Sequence, residues 1–329
     1  MGDLRIGVIG AGSIGTVHAA NLARRVPGAR LAAVADLDRE KAETCAAVNE
    51  ADEAYTSDTE LLAHPDLVAV TVCTPPETHA GIIEAAAAAG KHVFCEKPLE
   101  RTLERADVAL AAVEKAGVKF LIGLNRRYDP HFLRLRDAVH AGEAGRPLAA
   151  HFIARDPVEA LADSPNPPGD LFFSTTVHEL DFAGVVMRSP VESVYAAGGV
   201  MAEGGGPAVD DPDTAITLLR FAGGASGTID NSRVAPGYDQ RIEVFGTSGV
   251  LTADNLRTDD AVTIGGAMSF FTERYGESYI AEMRAFVDCV RRDTPSPVGP
   301  KEARTSQVLA EAAWQSYREE RPVAVREIG

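Results

Sequence analysis

Two stretches of this chain carry side chains that could move a proton: GDLFFSTTVHELD (169–181), with Ser174 four positions before His178, and FCEKPL, with Lys97 between Glu96 and Pro98. Histidine is the side chain whose ordinary pKa lets it accept a proton at neutral pH, so His178 suits general-base work on a hydroxyl. Lys97 would hydrogen-bond an oxygen on which negative charge develops. Ser174 is i−4 to His178 and, on a helix, shares its face. A hydroxyl there can touch the ring or a substrate, but it cannot offset the charge of an imidazolium as a carboxylate would. With Lys97 nearby and no acid opposing it, the imidazole becomes harder to protonate. In protease triads, loss of the orienting carboxylate's charge lowers turnover by on the order of 10⁴. Two other acids could complete the site. Asp170 is i−4 to Ser174, but a relay over two helical turns would have to span about 11 Å. Asp181, at i+3 from His178, reads equally well as a helix-surface or capping acid.

Such groups must be delivered by a framework, and the first half of the chain supplies one. LRIGVIGAGSIGTVHAANLAR passes from a β-rich apolar run through Gly10, Gly12 and Gly15 into an alanine-rich helix. Gly10 allows the tight turn, Gly12 lets the backbone approach a pyrophosphate, and Gly15 lets helix pack on strand. The helix start at Ser13 and Ile14 offers free N–H groups to an anion. The next apolar run ends in Asp36, where an acid accepts hydrogen bonds from an adenosine ribose and repels a 2′-phosphate. NAD is therefore the expected cofactor and NADP is disfavoured, although Arg39 leaves some NADP tolerance. Strand and helix patterns then alternate to about residue 125, implying a parallel sheet with ligands at its carboxyl ends. Thr74, Pro75, Glu96, Lys97 and Asn125 all fall at such ends and are expected beside the cofactor.

From about Arg126 the pattern changes. Helices near 129–142 and around His178 precede short alternating segments, VESVYAAGGV, DTAITLLRFA, ASGTIDNSRVA, QRIEVFG, GVLTAD and AVTIG, which predict a mostly antiparallel sheet. Two amphipathic helices follow. The expected class is an α/β Rossmann domain (1–125) joined to an α+β domain with an open-faced sheet (126–329), the last helix being free to pack back on the first domain. The Pro-rich stretch LADSPNPPGD reads as a loop near the mouth of the site. An open sheet needs a cover, and a homo-oligomer, dimer or tetramer, would provide it.

Bulk properties exclude other classes. The chain has 329 residues and a formal net charge of −16, which argues against a nucleic-acid partner and against an acidic membrane surface. It has no apolar run long enough for a membrane span, and the start MGDLR leads directly into a strand without a signal-peptide core. Cys45, Cys73, Cys95 and Cys289 form neither a C-x-x-C pair nor a disulfide framework, and Cys95 reads as a small buried hydrophobe. The expectation is a cytoplasmic protein that binds no metal.

GAGSIG, TPPETH, FCEKPL, GLNRRYDP and GYDQRIEVFGTSG together make nearly the whole chain resemble the Gfo/Idh/MocA oxidoreductases, and among them the inositol 2-dehydrogenases. The resemblance implies bound NAD(P) and transfer of hydride between nicotinamide and a hydroxyl or ketone of a cyclitol or sugar. It assigns the catalytic lysine to Lys97 and the catalytic histidine to His178, with Ser174 where an aspartate is usual and Asp170 where a glycine is usual. It also marks Arg127, Asp156, Asn231, Tyr238 and Tyr279 as substrate candidates, residue types that hydrogen-bond a polyol. It suggests a cis peptide before Pro98. Loss of the acid leaves three outcomes open: a retuned site, a changed substrate such as an acid, or a retired enzyme. Relatives that sense sugars without turnover, or that perform redox-neutral sugar chemistry with bound NAD, are the alternatives.

Overall fold

The computed structural model describes residues 2–157, 171–201, 211–254 and 271–329. The segment AVTIG, the loop 161–170 and Asp170 lie outside these residues. The chain divides into two compact units, one of Met1–Asn125 with Glu277–Thr305 and one of Arg126–Gly276 with Ser306–Gly329. The division after Asn125 falls where the sequence pattern changes. Glu277–Thr305, however, group with the first unit, not with the second half of the chain.

In the first unit, β1 (Leu4–Ile9), β2 (Ala29–Ala35), β3 (Glu53–Tyr55), β4 (Ala69–Val72), β5 (His92–Glu96) and β6 (Phe120–Gly123) form a six-stranded sheet in the order β3-β2-β1-β4-β5-β6. All its pairs are parallel. β4 and β6 are buried along their whole length, as expected of strands covered on both faces. The connecting helices are α1 (Ser13–Arg24), α2 (Arg39–Val48), α3 (Asp58–Leu62), α4 (Pro76–Ala88) and α5 (Leu103–Ala116). Local chemistry sets their ends. Asp38 caps α2 by accepting from the N–H groups of Glu40 and Lys41, and Gly117 closes α5 in the left-handed region. The strand order reverses between β1 and β4, the place where folds of this kind bind ligands.

The second unit contains α6 (Pro130–His140), β7 (Pro147–Pro157), a π-helical turn (Leu171–Thr176) that runs into α7 (Val177–Met187), and β8 (Val191–Gly199). It continues with β9 (Thr214–Phe221), β10 (Ser226–Ala235), β11 (Asp239–Gly246) and β12 (Val250–Ala253). Two long helices, α8 (Phe271–Arg292) and α9 (Pro300–Glu319), and the short β13 (Val323–Ala324) complete the chain. The sheet order is β12-β11-β7-β10-β9-β8-β13, and only the β7–β10 pair is parallel. β7 is an interior strand, paired on both sides, although its alanines give it little β propensity. Its burial alternates through Ala150, Phe152 and Ala154, which face the core.

α7 packs on the inner face of this sheet, against β7 and β10. On the outer face the register aligns Tyr195 with Leu218, Leu218 with Thr228, Thr228 with His151 and His151 with Glu243. Tyr195, Ile216, Leu218, Phe245 and Val250 are exposed there.

Candidate functional site

The glycine turn of the first unit is built for close approach. Gly10 has φ +96°, and a Cβ on it would lie 2.6 Å from the Cys73 carbonyl oxygen. A Cβ on Gly15 would lie 1.9 Å from the carbonyl oxygen of Gly10, so helix and turn can touch only through glycine. Gly12 behaves differently. It is the N-cap of α1, no side chain caps the helix there, and a Cβ would meet nothing within 4 Å. The first-turn N–H groups of Ser13, Ile14 and Gly15 thus border open space beside a positive helix end, a cradle suited to a pyrophosphate. Asp36 stands next to this turn. Its carboxylate accepts from the Ala11 N–H at 2.7 Å and from the Asp38 N–H at 2.9 Å, which fixes it while leaving lone pairs for ribose hydroxyls. Arg39 pairs with Glu43 at 3.4 Å.

The remaining candidates of this unit lie at strand ends. Pro75 is the exposed N-cap of α4, and the Thr74 hydroxyl accepts from that of Thr78 at 2.7 Å. His79, which the sequence did not single out, spans two loops, with Nε2 2.8 Å from the Thr74 carbonyl and Nδ1 2.8 Å from the Pro98 carbonyl. Burial pushes its pKa down, against the pull of the two carbonyls. Lys97 is half-buried and precedes Pro98 through a cis peptide. Asn125 is buried, and among the described residues neither amide atom has a hydrogen-bond partner, so the group fits one that a bound ligand would satisfy.

Glu96, expected beside the cofactor, points into the interior. Its carboxylate meets His18 Nε2 at 2.7 Å and accepts from the Lys97 N–H at 3.2 Å. A Cβ on Gly123 would come within 3.1 Å of it. Glu282 completes a buried trio with His18 and Glu96, each offering an atom within 4.8 Å of the others. Burial, and then the Glu96 charge, push the Glu282 carboxyl well above 4.5. Tyr279, a substrate candidate in the sequence, belongs to this unit, with its ring edge-on to His18 at 5.8 Å.

In the second unit Ser174 lies within the π turn, where the bonding period is i→i+5, so the i−4 relation to His178 is no longer that of a regular helix. Ser174 is the half-buried residue of an otherwise buried turn, and His178 is buried in the first turn of α7. The Ser174 Oγ accepts from Arg233 Nη2 at 3.1 Å. Asp181, one candidate for the missing acid, is bound by both arms of Arg127 at 2.7 Å. The structure therefore joins two sequence candidates, Arg127 and Asp181, in one ion pair.

A buried polar network surrounds these groups. Arg126 donates to Glu179 at 3.3 Å and to Gln240 at 3.1 Å, and Gln240 donates to Asp156 at 3.1 Å. The Arg126 guanidinium lies over the Tyr275 ring, 3.7 Å from its centroid. Burial pushes the Glu179 carboxyl up to about 7, with Arg126 opposing. Tyr238 is buried, and its phenol is pushed up by burial and by Asp156. Asn231 is buried on β10, where its amide donates to the Ala154 carbonyl at 3.2 Å. The sequence reading missed Arg126, Glu179, Arg233 and Gln240, each of them within two positions of a residue it chose.

The chain is similar to known proteins over nearly its whole length. Residues 4–124 match the GFO/IDH/MocA model described as an oxidoreductase family with an NAD-binding Rossmann fold, and residues 132–252 match the GFO/IDH/MocA C-terminal domain. The chain is 39% identical to a myo-inositol 2-dehydrogenase of Thermotoga maritima over 99% of both chains. It is 35% identical to an inositol 2-dehydrogenase of Rhizobium meliloti over 98% of this chain and 99% of that one. The crystal structure of a myo-inositol dehydrogenase from Corynebacterium glutamicum superposes with a TM-score of 0.87 at 31% identity, covering 98% of each chain.

Proposed function

The chain belongs to the GFO/IDH/MocA oxidoreductase family, and from that premise we propose that it is an NAD-dependent dehydrogenase of a cyclitol or sugar hydroxyl, inositol-dehydrogenase-like with an altered acid position. What supports this reading is that Lys97 at the end of β5 and His178 at the start of α7 are both present in a chain similar over its whole length to inositol 2-dehydrogenases.

Gly10, Gly12, Ser13, Ile14 and Gly15 would hold the pyrophosphate, Asp36 the ribose, and Thr74, Pro75 and Asn125 the nicotinamide half. Bound NAD would supply the hydride acceptor for the carbinol carbon. His178 accepts the hydroxyl proton, and the Lys97 ammonium stabilises the oxygen from which it leaves. Ser174 hydrogen-bonds the substrate, and Arg127, Asp156, Asn231 and Tyr238 supply polyol contacts directly or by positioning one another. The Asp36 carboxylate favours NAD over NADP. The exposed apolar side chains on the outer sheet face suit a second copy of the chain, giving a homo-oligomer. Among the described residues no helix is long and apolar enough to cross a membrane, and the four cysteines are free and buried, in keeping with a cytoplasmic protein.

The test is NADH formation with inositols, aldoses, aminocyclitols and sugar acids, run beside His178→Ala. The expected result is turnover of at least one cyclitol or sugar and a loss of about 10²-fold or more in the variant. Unchanged turnover in His178→Ala would overturn the mechanism. Product formation without net NADH would favour redox-neutral chemistry.

A further inference from the structure

The interior of the first unit holds three side chains of metal-ligating type to which the dehydrogenase reading gives no part. His18 comes from α1, Glu96 from the end of β5 and Glu282 from α8, and all three belong to the same compact unit. Each is buried, His18 and Glu282 with 0% exposure. One ligand atom from each lies within 4.8 Å of those of the other two. Glu96 is engaged within the chain: Oε1 meets His18 Nε2 at 2.7 Å, and Oε2 accepts from the Lys97 N–H at 3.2 Å. Glu282 is the unexplained member. Among the described residues neither oxygen of its carboxyl group has a hydrogen-bond partner, and neither has His18 Nδ1. A group of that kind, taken wholly out of water, is ordinarily hydrogen-bonded, paired or bound to a metal.

We propose that His18, Glu96 and Glu282 form a structural site for one divalent transition-metal ion, zinc foremost, which ties α1, β5 and α8 together. The site goes beyond the dehydrogenase reading and does not depend on it, since its ligands lie inside one unit whatever that unit's cofactor. The separations suit a tetrahedral ion. Ligand atoms about 2.1 Å from such an ion stand roughly 3.4 Å from one another. The 2.7 Å contact between His18 and Glu96 would widen to that figure, and separations of up to 4.8 Å would shorten to it.

Donor chemistry and charge agree. One imidazole and two carboxylates suit zinc or manganese, whereas magnesium and calcium ask for roughly six oxygen ligands. Among the described residues no lysine or arginine forms an ion pair with either carboxylate. A divalent ion would cancel the two negative charges and give the Glu282 oxygens a partner. The surroundings hold the set in place. The rings of Phe94 and Tyr279 lie edge-on to His18 at 5.0 and 5.8 Å, an apolar wall around the imidazole. Gly123 leaves the Glu96 carboxylate its room, since a Cβ there would come within 3.1 Å of it. A site so closed to water takes up its ion while the chain folds.

The test is metal content, read without cofactor or substrate. Native protein, Glu282→Gln and His18→Gln would be produced in cells supplied with zinc, manganese or cobalt, dialysed against a chelator to remove loose ions, and analysed by elemental mass spectrometry. The expected result is about one ion per native chain, and less than about one tenth of that in either variant. Glutamine keeps the shape of the Glu282 side chain, and circular-dichroism melting would show that each protein is folded. Zinc-loaded native protein should melt several degrees above protein from zinc-depleted cells, a difference absent in Glu282→Gln. The cobalt-loaded native protein needs no variant: it should show the strong visible absorption of a tetrahedral ion, and the weak spectrum of an octahedral hydrated ion would overturn the proposal. Equal metal in native protein and Glu282→Gln would mean an adventitious ion only and would overturn it too, as would folded native protein that retains no ion. If the ion is retained but no cyclitol or sugar is turned over, the metal site stands and the dehydrogenase reading fails.

Discussion

Replacing Glu179 by glutamine should make the second unit more stable above neutral pH and leave it nearly unchanged near pH 5. Burial is the dominant influence on this carboxyl and lifts it from an ordinary 4.5 to about 7, against the attraction of Arg126. An acid displaced upward is held protonated by the fold over a range in which the unfolded chain has already released its proton. The associated stability is complete below the unfolded value of 4.5 and is lost as pH rises through about 7. At roughly 1.36 kcal/mol per pH unit, the displacement corresponds to on the order of 3 kcal/mol. Glutamine does not titrate, so the difference between native protein and Glu179→Gln should open across this range and then level off.

Fluorescence gives a readout local to the right unit. Trp314 is the chain's single tryptophan; it lies in the second unit and stacks on Tyr317 with centroids 5.8 Å apart. Urea unfolding followed by its emission, at a series of values from about pH 5 to about pH 8.5, would measure the gap directly. A gap that stays constant with pH would refute the assignment of a raised pKa to Glu179. A variant that loses stability relative to the native protein as pH rises would show that the attraction of Arg126 outweighs burial.

Two further substitutions address the cofactor turn and the Arg127 ion pair. Gly12→Ala should fold normally, because its Cβ meets no protein atom, yet weaken NAD binding at least tenfold. Gly15→Ala should disturb the turn itself, because its Cβ would lie 1.9 Å from the Gly10 carbonyl oxygen. NAD titration alongside circular-dichroism melting separates the two, and equal melting temperatures with equal affinities would contradict the assignment of the turn. Asp181→Asn leaves Arg127 facing a neutral amide and should cost about 3 kcal/mol in urea unfolding, the lower end for breaking a buried pair, since Arg127 keeps some contact with solvent. A loss below about 1 kcal/mol would mean that water already screens the pair.

The first unit was legible in the sequence because each step of its logic is local. Apolar runs bounded by Gly, Pro and Asp gave the strands, and the spacing of Gly10, Gly12, Gly15 and Asp36 gave the turn and its acid. Where the reading missed, non-local forces decided. β7 was overlooked since its alanines speak for no strand, yet it lies inside the sheet because β10 and β11 pair with it on either side. Glu96 was read from its position in the motif alone, and its interior contact with His18 joins two residues that no rule of sequence spacing connects.

The second unit shows the same limit at finer scale. The stretches NRRYDP, HELD, NSR and GYDQ were recognised as functional, but in three of them a neighbour of the chosen residue carries the buried network: Arg126 beside Arg127, Glu179 beside His178, and Gln240 near Tyr238. In NSR the contact to Ser174 comes from Arg233, two positions after Asn231. Residue types in a motif mark a segment, while strand parity and helix period choose which side chain enters the buried network, and the π turn alters that period just before His178. Asp211 extends the point, since it falls outside every recognised motif and is linked to Ser174 through Arg233. Asking what balances a serine at an acid position therefore leads to a carboxylate far along the chain, one that comes into view only when the partners of the intervening guanidinium are traced.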